Sequence, residues 1–334
     1  MTAAARSRTT RTLILLAKIA LSLGLFAFLF RRISLAQLEA TLREARVEWL
    51  VAAWLLLLAS NVLGSYQWSR LLRAVDIRIP FWKVFGYYHV GLFFNNFLPA
   101  NIGGDIARVA DASRYGPTKT AALSAVMMDR LIGTIALASL ALVTATPALD
   151  RFHLTVLYLA LVAFFVLSVT LAWAIFHPAF LPACERVLNR VGLGGLTPHL
   201  DDLARRLDGY RGRRALFASM MGIALVTQLA RVGVHVLVAH ALGLNVPTTY
   251  FFLFVPLLAV IVSLPISLNG IGVREGAGIV LFGLIGVDRA HAFSLQFMTY
   301  VVAVAVSLLG GLVFLARIPR RRARARAQEG RAWQ

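Results

Sequence analysis

The sequence predicts an all-α, polytopic integral membrane protein with about six to eight transmembrane helices and two broken or re-entrant segments. Three observations carry that prediction. Hydrophobic residues make up 59% of the 334 and charged residues 15%, against roughly 45–50% and about 25% in soluble domains. The apolar residues fall in long unbroken runs rather than the short alternating segments of a membrane barrel. The basic residues lie between those runs and in a C-terminal cluster, where they orient spans. The same numbers exclude disorder, which needs low hydrophobicity, and the single Cys184 excludes a disulfide scaffold. A net charge of +19 invites a nucleic-acid reading, but no folded basic face exists to support one. Only three of the basic residues are Lys, the usage of a GC-rich bacterial genome.

Apolar runs of near-spanning length occupy 13–30, 49–69, 120–147, 154–176, 215–242, 250–268 and 291–316. The first follows Arg6, Arg8 and Arg11 and ends in Phe30-Arg31-Arg32 instead of small residues. It therefore reads as an uncleaved signal anchor. Two further stretches, 81–104 and 269–287, are apolar but interrupted by Gly, Pro and Asn. With both termini cytoplasmic, the inside segments hold 24 Lys and Arg and the outside segments 6, the asymmetry expected of a multi-pass inner-membrane protein. The weak point is 31–48, with four Arg outside.

This orientation makes 81–104 enter from the cytoplasmic side and turn back. It also sends 250–268 inward before another inward run, so the chain must return within 269–290. Either 250–290 is a hairpin that breaks near the midplane, or 276–287 is a short spanning half-helix. Irregular backbone at that depth requires protein or water to satisfy it. Ser34-Leu35-Ala36-Gln37 is a capping-box pattern ahead of Leu35, Leu38, Leu42 and Ala45. Thr197 can cap a second amphipathic helix with Pro198 at its first position. Its stripe is Leu200, Leu203, Leu207 and Tyr210, with Arg205, Arg206 and Asp208 opposite. Both read as interfacial tethers, and Asp201, Asp202 and Asp208 as a solvated face.

The chemistry concentrates at the two interruptions. In Asn95-Asn96-Phe97-Leu98-Pro99-Ala100-Asn101-Ile102-Gly103-Gly104-Asp105, Pro99 stops an incoming helix and Gly103-Gly104 permits unusual backbone. Asn95, Asn96 and Asn101 can bond the freed backbone groups. Asp105 falls in the first turn of a new helix, where the dipole favours it, and Arg108 lies one turn on, on the same face. Around Pro265, Asn269, Gly270, Gly272, Arg274, Glu275 and Gly276 the grammar repeats: Leu-Pro, Asn, two Gly, then Arg beside an acid. Two interrupted segments at corresponding places point to a transporter site and allow an inverted repeat. The alternative is that they kink packed helices, with Gly272 and Gly276 in a small-xxx-small contact.

Asp129 lies about 11 residues into its span, roughly 16 Å along the axis. Arg130 points to another face. Arg231 is central in its span, with Gln228 and His235 on one face. A charge at such depth needs a partner or water. Lys18 lies nearer an end and snorkels. No dinucleotide, Walker A, His-Glu-x-x-His or Gly-x-Ser-x-Gly motif is present, and no cofactor or metal is expected.

The three blocks Asn96 to Arg108, Asp129-Arg130-Leu131-Ile132-Gly133, and Leu264-Pro265 through Gly276 resemble the lysylphosphatidylglycerol synthase membrane-domain, or flippase-like, family. They fall in the family's order, and the resemblance covers about 10–316. It implies a lipid-translocating helical fold with re-entrant helices. It carries over Asn96, Pro99, Gly103, Gly104, Asp105, Arg108, Asp129, Arg130, Gly270, Gly272, Arg274 and Glu275. The two-part synthases of the family continue into a soluble aminoacyl-transferase domain, whereas this sequence closes on Arg320-Arg321-Arg322-Ala323-Arg324-Ala325-Arg326 and a short tail. Synthase activity is therefore not expected.

Together these readings predict a cytoplasmic N-terminus at 1–12, a membrane domain at 13–316 and a basic cytoplasmic tail at 317–334. The expected activity is a non-enzymatic translocase for an anionic or phosphate-linked lipid, with Arg108 and Arg274 holding the headgroup and Asp105, Asp129 and Glu275 balancing charge or carrying a proton. The expected partners are the bilayer, the lipid substrate and lipid-biosynthesis enzymes, with no nucleic acid. Two rival readings are an integral-membrane enzyme or accessory subunit of lipid-linked glycan assembly or lipid modification, and a small-anion transporter.

Overall fold

The computed structural model describes residue 39 and residues 43–97, 102–145, 155–177, 180–191, 195, 197–263 and 270–332. The expected anchor at 13–30, Lys18, the capping box at 34–37, and Pro99, Asn101, Pro265 and Asn269 lie outside them. Eleven helices are formed among the described residues: α1 Val47–Ala74, α2 Phe81–Phe97, α3 Ile102–Ala112, α4 Lys119–Ala145, α5 Thr155–Phe176, α6 Phe180–Arg190, α7 Thr197–Asp208, α8 Arg214–Ala241, α9 Thr248–Ser263, α10 Val273–Gly283 and α11 Arg289–Ala332.

Five segments among the described residues are long and apolar enough to cross a bilayer: 47–74, 119–145, 158–176, 214–241 and 289–317. An apolar run in lipid must satisfy its own backbone, and a helix does so residue by residue. The buried face of α1 is not its most apolar one. Ser60, Asn61, Gly64, Ser65, Gln67 and Trp68 point inward, while Val51, Leu55 and Val62 are exposed. Lipid accepts the aliphatic side chains, and small or polar residues let helices approach closely.

Four of the remaining six helices form two hairpins that enter from opposite faces. The first is α2–α3. Its start follows the loop after α1, its end precedes α4, and Gly116 packs on Ile77 to bring those two loops together. Tyr210 Oη donates to Leu71 O at 2.8 Å on the same face, and Arg317 near the end of the apolar part of α11 pairs there with Asp111 at 3.0 Å. The second hairpin is α9–α10. The loops flanking it, 243–247 and 284–288, line one depression. They lie on the other face, where Arg46 N–H donates to Ala241 O at 2.8 Å. Of the two readings of 250–290, the hairpin is correct. At 16 and 11 residues, α9 and α10 reach about 24 and 16 Å, too short for two full crossings. The first hairpin has nearly the same dimensions, 17 and 11 residues.

The core is divided to match. One apolar cluster joins the starts of α1 and α11 and the ends of α4 and α8 to α9 and α10. The other joins the end of α1 and the starts of α4 and α8 to α2, α3 and α7. Gln67, Asp129, Gln228 and Arg231 lie near the boundary between them. The second amphipathic helix departs from its expected role. Leu207 and Tyr210 are buried in the second cluster, so α7 docks on protein instead of lying in the interface. Thr197 is the first residue of α7, not its cap, and its hydroxyl makes no bond there among the described residues. Asp202 is not part of a solvated face: it accepts a hydrogen bond from Thr120 at the start of α4.

Candidate functional site

The first break is closed across the gap between α2 and α3. Asn95 Oδ1 accepts the Gly104 N–H at 2.9 Å, satisfying a donor that a helix start leaves free. A Cβ on Gly104 would stand 2.2 Å from the Gly91 carbonyl oxygen, so the two helices meet backbone to backbone and only glycine fits. Asn96 does something else: its amide donates to Ser307 Oγ of α11 at 2.6 Å.

Two aspartates and two arginines form a chain beside this break. Arg108 Nη2 donates to Asp129 Oδ2 at 2.7 Å. Asp129 Oδ1 also accepts from Gln67 Nε2 at 2.9 Å. The Arg108 guanidinium stands 4.3 Å from the Trp68 ring and 5.0 Å from the Tyr88 ring, and its side chain is 7% exposed. Arg130 reaches the other way. Its Nε and Nη2 both donate to Asp105 at 3.0 Å, the bidentate fork that guanidinium geometry favours. Its side chain is 46% exposed. Asp105 also lies 3.8 Å from Arg108. The adjacent Asp129 and Arg130 thus serve different partners, as their different helix faces require.

The second break uses its acid differently. Gly270 and Gly272 have φ of +76° and +81°, values that glycine adopts without the Cβ clash of other residues. The Gly272 N–H donates to Glu275 Oε2 at 2.7 Å, and Glu275 is 1% exposed. Glu275 therefore caps the start of α10. The Arg274 guanidinium stands 4.8 Å from the Tyr300 ring of α11. Arg274 and Arg231 both act electrostatically on His235 of α8, and Arg231 Nη1 donates to Gln228 Oε1 at 3.3 Å. Gly276 has no described atom within 4 Å of where a Cβ would stand, so it makes no small-xxx-small contact with the described residues.

The sequence-derived set is therefore divided. Asn95, Gly103, Gly104, Asp105, Arg108, Asp129 and Arg130 converge on one cluster, and Gly270, Gly272, Arg274 and Glu275 on a second. Asn101 and Asn269 lie outside the described residues. Sequence reasoning missed Gln67, Trp68, Tyr88, Gln296 and Tyr300. Gln67 and Gln296 carried a signal, as amides within apolar runs; the aromatic residues carried none. No group of His, Cys, Asp and Glu able to hold a metal ion occurs among the described residues.

Residues 15–311 match the family model for the lysylphosphatidylglycerol synthase transmembrane region, and the chain belongs to that family. It is also similar to a UPF0104 membrane protein of Pyrococcus horikoshii, 24% identical over 312 residues, which cover 84% of this chain and 91% of that protein.

Proposed function

We propose that this member of the lysylphosphatidylglycerol synthase transmembrane family is a lipid translocase, non-enzymatic and free of cofactors, moving an anionic or phosphate-bearing lipid across the inner membrane. One observation supports the reading above the others: two short hairpins enter from opposite faces, and each brings charged residues beside its break. A headgroup passing between leaflets needs polar groups at depth, reached from each side in turn. Helix starts at the breaks favour an anion through their free N–H groups, and guanidinium adds parallel donors to phosphate.

In this reading Arg108, expected from the sequence to hold the headgroup, positions the hairpin instead, and Arg130 takes the ligand role. Arg108 is held by Asp129, Trp68 and Tyr88, the arrangement of a group that positions the hairpin. Arg130, half exposed on the same cluster, and Arg274 at the second break are the headgroup ligands. Asp105 and Asp129 balance charge. Both termini are cytoplasmic in this reading, and lipid-biosynthesis enzymes supply or consume the lipid.

A leaflet-accessibility assay in proteoliposomes, with a panel of labelled lipids, tests the function. Wild type equilibrates an anionic lipid between leaflets; Arg130→Lys and Arg274→Lys insert and melt like wild type yet move lipid about tenfold more slowly, since Lys keeps charge but loses the fork. Wild-type rates in properly inserted Arg130→Ala and Arg274→Ala would remove both from the headgroup path. A reporter fused at Gln334 that is active only in the periplasm would overturn the orientation.

A further inference from the structure

We infer that Arg231, His235 and Gln296, together with Arg274, form a second phosphate-binding station on the α8–α10–α11 side of the polar band. This inference deepens the translocase reading and rests on it for the lipid source of the phosphate. Three features of the junction converge. Arg231 lies in the middle of α8 and is exposed. No carboxylate among the described residues comes within ion-pair distance of it, and its guanidinium bond is to the neutral amide of Gln228. Two arginines, one on α8 and one on α10, bear on the same imidazole, His235. Gln296 of α11 is fully buried; one end of its amide meets His235, and the other has no hydrogen-bond partner among the described residues.

A buried amide atom left without a partner costs about 1–3 kcal/mol, so the end of Gln296 that does not face His235 marks a place where a group outside the chain completes the bonding. A donor amide beside two guanidinium groups selects an anion with several acceptor oxygens, and phosphate has that chemistry. The first cluster is built the opposite way. There each guanidinium already meets an aspartate, so positive charge is answered within the protein. At the second, Arg231 meets no carboxylate within ion-pair distance among the described residues and bonds the neutral amide of Gln228. A phosphate is therefore held more firmly on the Arg231 side, and the first cluster is the weaker site from which it is released or received.

The test uses the full chain in nanodiscs of phosphatidylcholine and phosphatidic acid in equal parts, followed by detergent extraction and mass spectrometry of the retained lipid. Wild type retains phosphatidic acid over phosphatidylcholine. Arg231→Gln and Gln296→Leu each lower that retention about tenfold, and Arg231→Lys restores part of it. Gln296→Leu is the decisive variant. If Gln296 only holds His235, the variant loses one hydrogen bond and keeps its retention; a ligand role predicts loss of retention in folded protein. Retention unchanged in both Arg231→Gln and Gln296→Leu, in folded protein, overturns the station, as does equal retention of the two lipids by wild type.

Excess inorganic phosphate separates the two sources of the anion. Displacement of phosphatidic acid shows that the phosphate group alone is read; retention that persists and still requires Arg231 shows that the acyl chains contribute. Both results support the station. The translocation assay keeps the two readings distinct. Arg231-dependent retention without movement between leaflets defeats the translocase and leaves the station. Movement equally fast in wild type and Arg231→Gln defeats the station and leaves the translocase.

Discussion

The two hairpins have nearly the same lengths, approach from opposite faces and carry an acid in the first turn of the second helix. They use that acid for different ends. In α2–α3, Asp105 faces a cation, the half-exposed Arg130 of α4, and Asp129 of α4 in turn meets the buried Arg108. In α9–α10, Glu275 turns back onto the backbone at Gly272. The difference follows from local geometry. The first break has Asn95 to satisfy the N–H of Gly104, which frees Asp105 for a side-chain partner. At the second, two glycines of positive φ lead directly into α10, and the acid serves as cap. Similar sequence grammar thus yields an acid paired with a guanidinium at one hairpin and an acid spent on the backbone at the other.

The largest expected effect tests whether Asp129 neutralises and Glu275 caps. Asp129→Asn leaves the Arg108 guanidinium buried without its counter-charge, which costs about 3–5 kcal/mol. Glu275→Gln keeps an amide oxygen able to accept from Gly272 and costs less than about 1 kcal/mol. Asp105→Asn, at a pair open to solvent on the Arg130 side, costs about 0–1 kcal/mol. Thermal unfolding in one detergent should rank them in that order. Equal loss from Glu275→Gln and Asp129→Asn would make Glu275 a counter-charge too, and the contrast would fail. Joint replacement, Arg108→Met with Asp129→Leu, recovers most of the stability if the pair only positions the hairpin.

Glycine packing gives the next contrast. A Cβ on Gly310 would stand 1.9 Å from the His89 carbonyl oxygen, where α11 crosses the first hairpin. Both atoms are fixed by backbone, so Gly310→Ala forces α2 and α11 apart and costs about 1–3 kcal/mol or more. At the second hairpin, Gly276→Ala meets no described atom within 4 Å and gains up to about 1 kcal/mol of helix propensity. Opposite signs of the Tm change are expected. A loss at Gly276 would restore the packing contact that its spacing invites.

Much of this was legible in the sequence. The apolar runs gave the five crossings nearly to their ends, because lipid leaves a helix as the one open-chain solution. The interruptions gave both hairpins and the order of Asp105, Arg108, Asp129 and Arg130. Other features depend on three-dimensional neighbours. Asn95 and Asn96 are adjacent and look equivalent, yet one bonds across the break and the other reaches Ser307, since neighbouring helix positions face different elements. The Arg108 aromatic sandwich joins α1 and α2, whose ring positions carry no periodic mark among so many apolar residues. The docking of α7 carries no mark of its own, because an amphipathic stripe is the same whether it meets lipid or protein.

The smallest effect concerns a fourth acid, Asp202, which lets a carboxylate beside a helix start be titrated in water. It sits on α7 against the start of α4, outside the spanning segments, where a carboxylate favourably opposes the helix dipole. The hydrogen bond from Thr120 is the chief cause that holds its carboxyl below the usual carboxylate range. Partial burial acts against it, while Thr118, Arg206 and Arg205 reinforce the shift. A carboxyl with a depressed folded value stabilises the protein above its unfolded value of about 3.9 and loses that contribution as pH falls through the lower folded value. The docking of α7 is therefore insensitive to pH near neutrality and weakens below about pH 4. Asp202→Asn removes the charge at every pH and costs about 0.5–1 kcal/mol near neutrality, with less acid dependence than wild type. Proteolysis of the 209–213 loop at pH 7 and below pH 4 reads the docking directly. Wild type should become more susceptible in acid, whereas Asp202→Asn should start more susceptible and change less. Identical pH profiles for the two proteins would show that Asp202 does not hold α7 in place. The contrast with Glu275 would then stand on its backbone bond alone, since the Gly272 N–H and the Glu275 carboxylate are both inside the second hairpin.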